Sequence, residues 1–372
     1  MQIHLDSPNR GYLPGALVQG ELELSPSDDG EQGSLTIVFT GRSIIEIKAG
    51  SIGPGDYGTN TQFLVRSKQV LYEGATPFTS MPPGGWPFLF TFPSKPHSGM
   101  KQEIWTNAPM KHGQPKKWSC DEAFDSLPQS FHFSGGPISS ADVEYRLDAK
   151  WVSASQHKKD SAMLSFDTYR WDPDPALSPV TDAQRLLLKS PLLPRQEPGT
   201  CPLTFKDKFH MAFGPEGMMT RAEFTLHTKV GTRIVQGAVP TIELSLVYVP
   251  QKSTAADIPA VVLRSFMVII EQVTAVRTLR RAAFHTTAWT LGAKDSLDIP
   301  LRSDEAVDVS EVLGLRTEDV PYDLSTFNIQ QRHQFLLSFD VECMQKRFTF
   351  RQKLSLDMLS PFYEETPPGF DT

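Results

Sequence analysis

Apolar and polar side chains alternate one for one along much of this chain. From Val143 to Trp151, one face carries Val143, Tyr145, Leu147, Ala149 and Trp151, and the other carries Glu144, Arg146, Asp148 and Lys150. Successive side chains of a strand point to opposite faces, so this segment predicts a half-buried strand; a helix would scatter both sets around its circumference. The same period appears at Val18, Gly20, Leu22 and Leu24, and at Leu35, Ile37 and Phe39. In the second half Phe224, Leu226 and Val230 alternate with Glu223, Thr225, His227 and Lys229, followed by Ile242, Leu244, Leu246 and Tyr248. Phe335, Leu337, Phe339 and Val341 oppose Ser338, Asp340 and Glu342. Phe348, Phe350, Leu354, Leu356 and Met358 oppose Arg347, Thr349, Arg351, Lys353 and Asp357. Many short alternating segments separated by turn residues predict an all-β protein built as antiparallel sandwiches.

Helical signals are few: Asp182 to Lys189 and Val307 to Leu315 each have the pattern for about two turns. The segment Trp171 to Pro202 holds Pro173, Pro175, Pro179, Pro191, Pro194, Pro198 and Pro202. Proline lacks an amide donor and fixes φ, so this stretch predicts a semi-extended linker. The expected organisation is a first sandwich over residues 1–170, a linker over 171–202, a second sandwich over 203–360 and a disordered tail over 361–372. Pro93 to Pro128 has little alternation and predicts a long loop. Ala49 to Asn60 is Gly-rich and predicts another loop.

At 372 residues the chain is long enough for two domains, each with its own core. Thirty prolines and 25 glycines cut it into short segments and favour strands over long helices. No run approaches the ~20 apolar residues of a membrane-spanning helix, and Met1 to Asp6 has neither the basic nor the apolar part of a secretory signal. The three cysteines, Cys120, Cys201 and Cys343, are far apart and show no CxxC spacing, which argues against a disulfide scaffold and a zinc site. A reducing compartment is expected. The net charge of −7 disfavours nucleic acid as a partner.

Five local patterns, in order, resemble the N-terminal domain of the arrestin family. Tyr12-Leu13-Pro14-Gly15 with Val18-Gln19-Gly20 resembles its Y-x-P-G-x-x-V-x-G opening, and Ile37 to Gly41 resembles a strand ending in F-x-G. Leu71-Tyr72-Glu73-Gly74 resembles L-Y-x-G, and Trp86 to Pro93 is similar to Y-P-F-x-F-x-F-P. Leu127 to Phe131, followed by Val143 to Leu147, resembles L-P-x-S-F and I-x-Y-x-L. The second half is similar only in its strand pattern and in an ending like H-x-L-x-V-x-C-x-K-x-F between His333 and Phe348. The resemblance, to fungal-type alpha-arrestin-like proteins in particular, implies two immunoglobulin-like sandwiches and a non-enzymatic trafficking adaptor. Such an adaptor joins cytosolic tails of membrane proteins to a ubiquitin ligase or to endocytic machinery. It would be cytoplasmic and recruited to the plasma membrane or endosomes. A structural subunit of an endosomal sorting complex, like the arrestin-fold subunit of retromer, is the alternative, and an enzyme on a sandwich scaffold is a third.

The chain contains no G-x-S-x-G, P-loop, G-x-G-x-x-G after a strand, or H-E-x-x-H. His97, His112 and His132 show no metal-ligand spacing, and no cofactor is expected. Arg277, Arg280 and Arg281 follow an apolar stretch. They read either as a contact for phosphate or an acidic tail, which the arginine fork suits, or as a solvated strand end. Arg170 occupies about the place of an arginine that, in phosphate-sensing arrestins, joins a buried charged network between the domains. A surface ion pair with Asp167 or Asp172 is the other reading. Many relatives carry a PPxY motif for WW domains of HECT-type ligases. Here PPxY is absent, and the nearest string is Pro367-Pro368-Gly369-Phe370, where Pro367, Pro368 and Phe370 form a degenerate docking candidate without the tyrosine hydroxyl. Lys101, Lys111, Lys116 and Lys117 in the long loop are candidate ubiquitin acceptors, and peripheral membrane association is compatible with these features.

Overall fold

The computed structural model describes residues 1–8, 11–24, 32–48, 58–75, 85–96, 127–166, 179–190, 220–253, 255, 258–278, 282–303, 305–344 and 346–359. About three quarters of these residues lie in strands, and almost none in helix. The first half contributes β1 (Gln2–Leu5), β2 (Leu17–Glu23), β3 (Gln32–Ile47), β4 (Gly58–Ala75), β5 (Trp86–Thr91), β6 (Phe131–Gly135), β7 (Ile138–Ser153) and β8 (His157–Leu164). One sheet has the order β1-β2-β5. The other runs β4-β3-β7-β6, with β8 also paired to β7, and every pairing is antiparallel.

The inward sets of the two sheets form one core, which includes Val18, Leu22, Leu35, Ile37, Phe39, Phe88, Phe90, Tyr145, Leu147 and Trp151. The period-2 pattern from Val143 to Trp151 is realised: all five of its apolar side chains are buried. Full burial of a side chain the size of Val143 or Leu147 contributes about 1.5–3 kcal/mol, and Ala149 contributes less.

The resemblance-bearing residues meet at the centre of this core. Phe39 packs edge-on to Phe92 with ring centroids 4.8 Å apart, Phe92 stacks on Phe166 at 4.5 Å, and Tyr12 stacks on Phe92 at 5.5 Å. The Tyr145 hydroxyl donates to the Pro128 carbonyl. Burial pushes that phenol well above its ordinary pKa. Ser130 Oγ accepts from the Phe166 amide at 2.9 Å. Two glycines follow from the same packing. A Cβ on Gly20 would lie 2.0 Å from the His4 carbonyl oxygen on β1, and one on Gly41 would lie 2.5 Å from the Tyr145 ring. Close backbone approach to β1 and the tyrosine ring explain why these strands carry V-x-G and F-x-G.

The second half contributes β9 (Pro179–Ser190), β10 (Thr220–Gly231), β11 (Arg233–Val235), β12 (Ile242–Tyr248), β13 (Val261–Arg277), β14 (Ala282–Leu301), β15 (Val307–Asp308), helix α1 (Val309–Leu313), β16 (Leu324–Ser325), β17 (Ile329–Cys343) and β18 (Lys346–Leu359). One sheet runs β15-β12-β10-β9 and the other β11-β18-β17-β13-β14, with β16 on β17. β11 lies parallel to β18; the other pairings are antiparallel. A second core between them includes Phe224, Leu226, Leu244, Phe266, Val268, Phe335, Leu337, Phe339 and Met358.

Three expectations change. Asp182 to Lys189 is not helical. It lies in β9, paired in register with β10 from Pro179 opposite Gly231 to Ser190 opposite Thr220. Leu186 and Leu188 enter the second core at a spacing of two, and this burial decides against the weak helical preference. For the same reason the expected linker over 171–202 fails between Pro179 and Ser190. Pro179 stands first in a strand, where its missing donor costs little; the rest of that segment lies outside the described residues. Val307 to Leu315 is helical only over Val309–Leu313, where the Asp308 carboxylate caps the start by accepting from the Ser310 and Glu311 amides at 2.8 and 3.2 Å. The Gly-rich segment expected as a loop, Ala49 to Asn60, enters β4 at Gly58, and its residues 49–57 lie outside the described residues. In the long loop expected from Pro93 to Pro128, residues 97–126 lie outside them as well.

Candidate functional site at the seam between the sandwiches

Where the two halves of the chain meet, the segment from β16 into β17 reaches out of the second half and docks on β3 and β4. Leu324, Phe327 and Ile329 are buried in the first core, together with Val276 at the end of β13. Between these apolar anchors stands a run of short polar side chains. Thr326 is 1% exposed, Asn328 0% and Ser43, on β3, 0%. A polar group buried this deeply needs partners, since an unmade hydrogen bond there costs about 1–3 kcal/mol.

Asn328 supplies them across the seam. Its amide nitrogen donates to the Ser43 carbonyl at 3.2 Å and to Asn60 Oδ1, on β4, at 3.2 Å. Its Oδ1 accepts from the Ser43 hydroxyl. Thr326 Oγ1 lies 3.2 Å from the Ser43 hydroxyl and accepts from the Ile329 amide at 2.8 Å. The Thr326 amide and the Ile329 carbonyl close the turn at 2.7 Å. These groups are uncharged, so this part of the seam is joined by directional hydrogen bonds without the large desolvation cost of buried ions.

Arg277 borders this network. It ends β13, is only 9% exposed, and its Nε donates to the Phe327 carbonyl at 2.9 Å. Its own amide donates to the Asn328 carbonyl at 2.9 Å. Arg277 is thus not a solvated strand end: its guanidinium is built into the seam and holds the turn that carries Asn328. Beside it, His285 on β14 packs against the β6–β7 hairpin, with its ring 5.7 Å from that of Phe133.

No family model matches the chain, and no curated protein matches it.

A second polar group continues from the seam along β17. The face that carries Phe335 to Val341 into the second core turns polar at Gln331 and His333. Gln331 accepts from Gln272 and donates to the Tyr322 carbonyl at 2.8 Å. His333 Nδ1 lies 2.7 Å from the Asp323 carboxylate, and both side chains are buried. Burial pushes the Asp323 carboxyl above its ordinary pKa, against the opposing pull of His333 and Arg332. Asp323 also ties into β18: its carboxylate accepts from the Met358 amide at 3.2 Å and its amide donates to the Met358 carbonyl at 2.9 Å. Cys343, at the far end of β17, is buried, and its thiol is pushed up to about 12, so it stays protonated and unreactive at neutral pH.

Among the other sequence candidates, Arg170, Arg280, Arg281, Lys101, Lys111, Lys116, Lys117, Pro367, Pro368 and Phe370 lie outside the described residues. The described residues hold no group of three His, Cys, Asp or Glu side chains placed for a metal ion, and no helix among them is long and apolar enough to cross a membrane. The seam residues Ser43, Asn60, Thr326 and Asn328 were not singled out by their sequence. The available signal is slight: the polar residues Ser325, Thr326 and Asn328 stand among the apolar Leu324, Phe327 and Ile329.

Proposed function

We propose that the chain is an arrestin-like trafficking adaptor, which binds the cytosolic tails of membrane proteins and brings them to a ubiquitin ligase or to endocytic machinery in the cytoplasm. One observation carries the reading. Four of the five motifs that resemble arrestin N-terminal domains meet in the first core: Tyr12, Phe39 and Phe92, with Pro128 and Tyr145 of the fifth motif, form one connected contact set. Two sandwiches joined through a buried, hydrogen-bonded seam also suit a scaffold that holds two partners at a fixed spacing, since directional hydrogen bonds set the relative placement of the halves.

The test is affinity capture of the full chain, and of a chain ending at Ser360, with proteins identified by mass spectrometry. The adaptor reading expects membrane-protein tails with both forms, and a WW-domain ligase with the full chain alone if Pro367 to Phe370 docks it. Recovery of a single stoichiometric partner without ligase or cargo would replace this reading with that of a structural sorting subunit.

A further inference from the structure

The outward face of the larger sheet in the first sandwich carries a basic band, in a chain whose net charge is −7. Register places its side chains. On β3, Thr36, Val38 and Thr40 alternate with Leu35, Ile37 and Phe39, which enter the core, so the former point outward. On one side of β3, Lys68 and Arg66 of β4 stand opposite Val38 and Thr40. On the other side, Lys150 of β7 stands opposite Thr36, and Lys159 of β8 stands opposite Lys150. All four cations are exposed. The carboxylates within the band are already taken: Asp148 pairs with Arg146 at 2.9 Å, and Glu144 pairs with Arg42. Among the described residues, no carboxylate pairs with Lys68, Lys150 or Lys159. Arg66 lies over the Phe63 ring at 5.6 Å, a contact that leaves its charge in place. The next acidic groups stand outside the band, at Glu73 beyond Val70 and at Asp142, 2.5 Å from His132.

Two features show that the fold does not require these cations. Lys150 and Lys159 are directly opposite one another on adjacent strands of one face, and like charges so placed destabilise a sheet. In addition, apolar side chains stand exposed among the cations: Val70, opposite Thr36, is 50% exposed, and Met163, opposite Arg146, is 58% exposed. Cations interspersed with exposed apolar side chains suit a lipid surface. Charge draws the face to anionic headgroups, and apolar groups enter the headgroup layer. The form of the band favours a membrane over an acidic peptide. It spans four neighbouring strands, about 14 Å at the usual strand spacing, and β3 and β7 are each paired on both sides. A peptide laid across their face finds no strand edge to pair with, whereas separate lipid anions can gather under each cation.

From this we infer that the outward face of the β4–β3–β7–β8 sheet docks on a bilayer rich in anionic phospholipid, with Lys68, Arg66, Lys150 and Lys159 over the headgroups and Val70 and Met163 entering between them. The inference stands apart from the adaptor reading: vesicle binding can fail while cargo and ligase are captured, and the reverse.

The experiment is cosedimentation of the full chain with phosphatidylcholine vesicles, with and without phosphatidylserine, at physiological salt. Four proteins are compared: wild type, Lys68→Gln, the pair Lys150→Gln with Lys159→Gln, and the pair Lys229→Gln with Lys294→Gln. The last pair removes the same charge from exposed positions of the second sandwich and controls for net charge alone. Wild type is expected to sediment with phosphatidylserine vesicles, to ignore phosphatidylcholine alone, and to be released by added salt. Each lysine lost from the face should weaken binding about fivefold, and the Lys150 and Lys159 pair about twenty-fivefold. The control pair should bind like wild type. Thermal melts separate docking from misfolding: the Lys150 and Lys159 pair should melt no lower than wild type, because its loss removes facing like charges. Should that pair be destabilised, Lys68→Gln on β4 carries the test by itself. Absence of wild-type binding, equal binding to phosphatidylcholine, or equal weakening by the control pair overturns the inference. Binding of soluble poly-glutamate through Lys150 and Lys159, without vesicle binding, overturns it in favour of an acidic polypeptide.

Discussion

Every polar atom of the Asn328 side chain is engaged: the nitrogen donates to Ser43 and Asn60, and the oxygen accepts from Ser43. Truncation to alanine removes these bonds and takes a donor away from the Ser43 carbonyl and from Asn60 Oδ1, while the Ser43 hydroxyl keeps Thr326 Oγ1. Asn328→Ala should therefore destabilise the protein by about 2 kcal/mol, the scale of a buried group left without a partner. Chemical denaturation measures this directly, and a loss below a few tenths would mean that water replaces the amide. Glu223, on β10, makes a prediction of a different kind: Arg185 and Arg221 lie 2.6 and 2.7 Å from its Oε2, and Lys252 lies 3.5 Å from its Oε1. Its hydrogen bond from Arg185, its largest influence, and those from Arg221 and the charge of Lys252 hold the carboxyl down from 4.5 to about 2, against the upward push of burial. A depressed carboxylate gives stability that is complete above its unfolded pKa and is lost as pH falls through the folded value. The stability difference between wild type and Glu223→Gln should accordingly shrink as pH drops from about 4.5 to about 2. Parallel curves across that window would show that the three cations do not act on Glu223 as their geometry implies.

At the scale of the element, most strands were legible because burial on one face writes a period of two into the sequence. Tyr145 and Trp151, Phe224 and Leu226, Phe335 and Phe339 all enter the cores that alternation assigns them. β9 was not legible, and the reason is physical. Its sequence, Pro-Val-Thr-Asp-Ala-Gln-Arg-Leu-Leu-Leu-Lys-Ser, has three consecutive leucines that blur the period, and it lies among prolines that signal a linker. What makes it a strand is β10, whose register pairs it along its whole length, and partner identity is not written in local pattern. Hydrogen exchange separates the two descriptions: β9 amides that bond to β10 should exchange slowly, with protection comparable to β12 on the other side of β10. Rapid exchange across the whole of residues 180–188 would return the segment to the linker first expected. Candidate-site residues were less legible still. The seam depends on Ser43 meeting Asn328 across 285 positions, and no local window contains both.

At the scale of the molecule, the two sandwiches are not separated by a clean boundary between cores. Phe327 follows β16 in the second half of the sequence, yet it is 4% exposed and packs in the first core, with Leu324 and Ile329 beside it. The second half thus supplies part of the hydrophobic filling of the first, and the neutral hydrogen bonds at Asn328 fix where that filling enters. Phe327→Ala should cost about 3–5 kcal/mol as a large-to-small change in a packed core. Its location in the fold predicts which half weakens. Trp151 is fully buried in the first core, and Trp289 packs against the second, so fluorine-labelled tryptophan resonances report the two separately. In wild type both should disappear in one denaturant transition, because each half loses contacts when the other unfolds. In Phe327→Ala the Trp151 signal should be lost at lower denaturant than the Trp289 signal, although the substitution lies in the half that carries Trp289. If instead Trp289 is lost first, Phe327 serves the second sandwich, and the seam is a surface contact between two independent domains. Earlier loss of Trp151 means that the halves are coupled through a shared core, and that a partner able to pull β16 and Phe327 away would loosen the first sandwich without touching it.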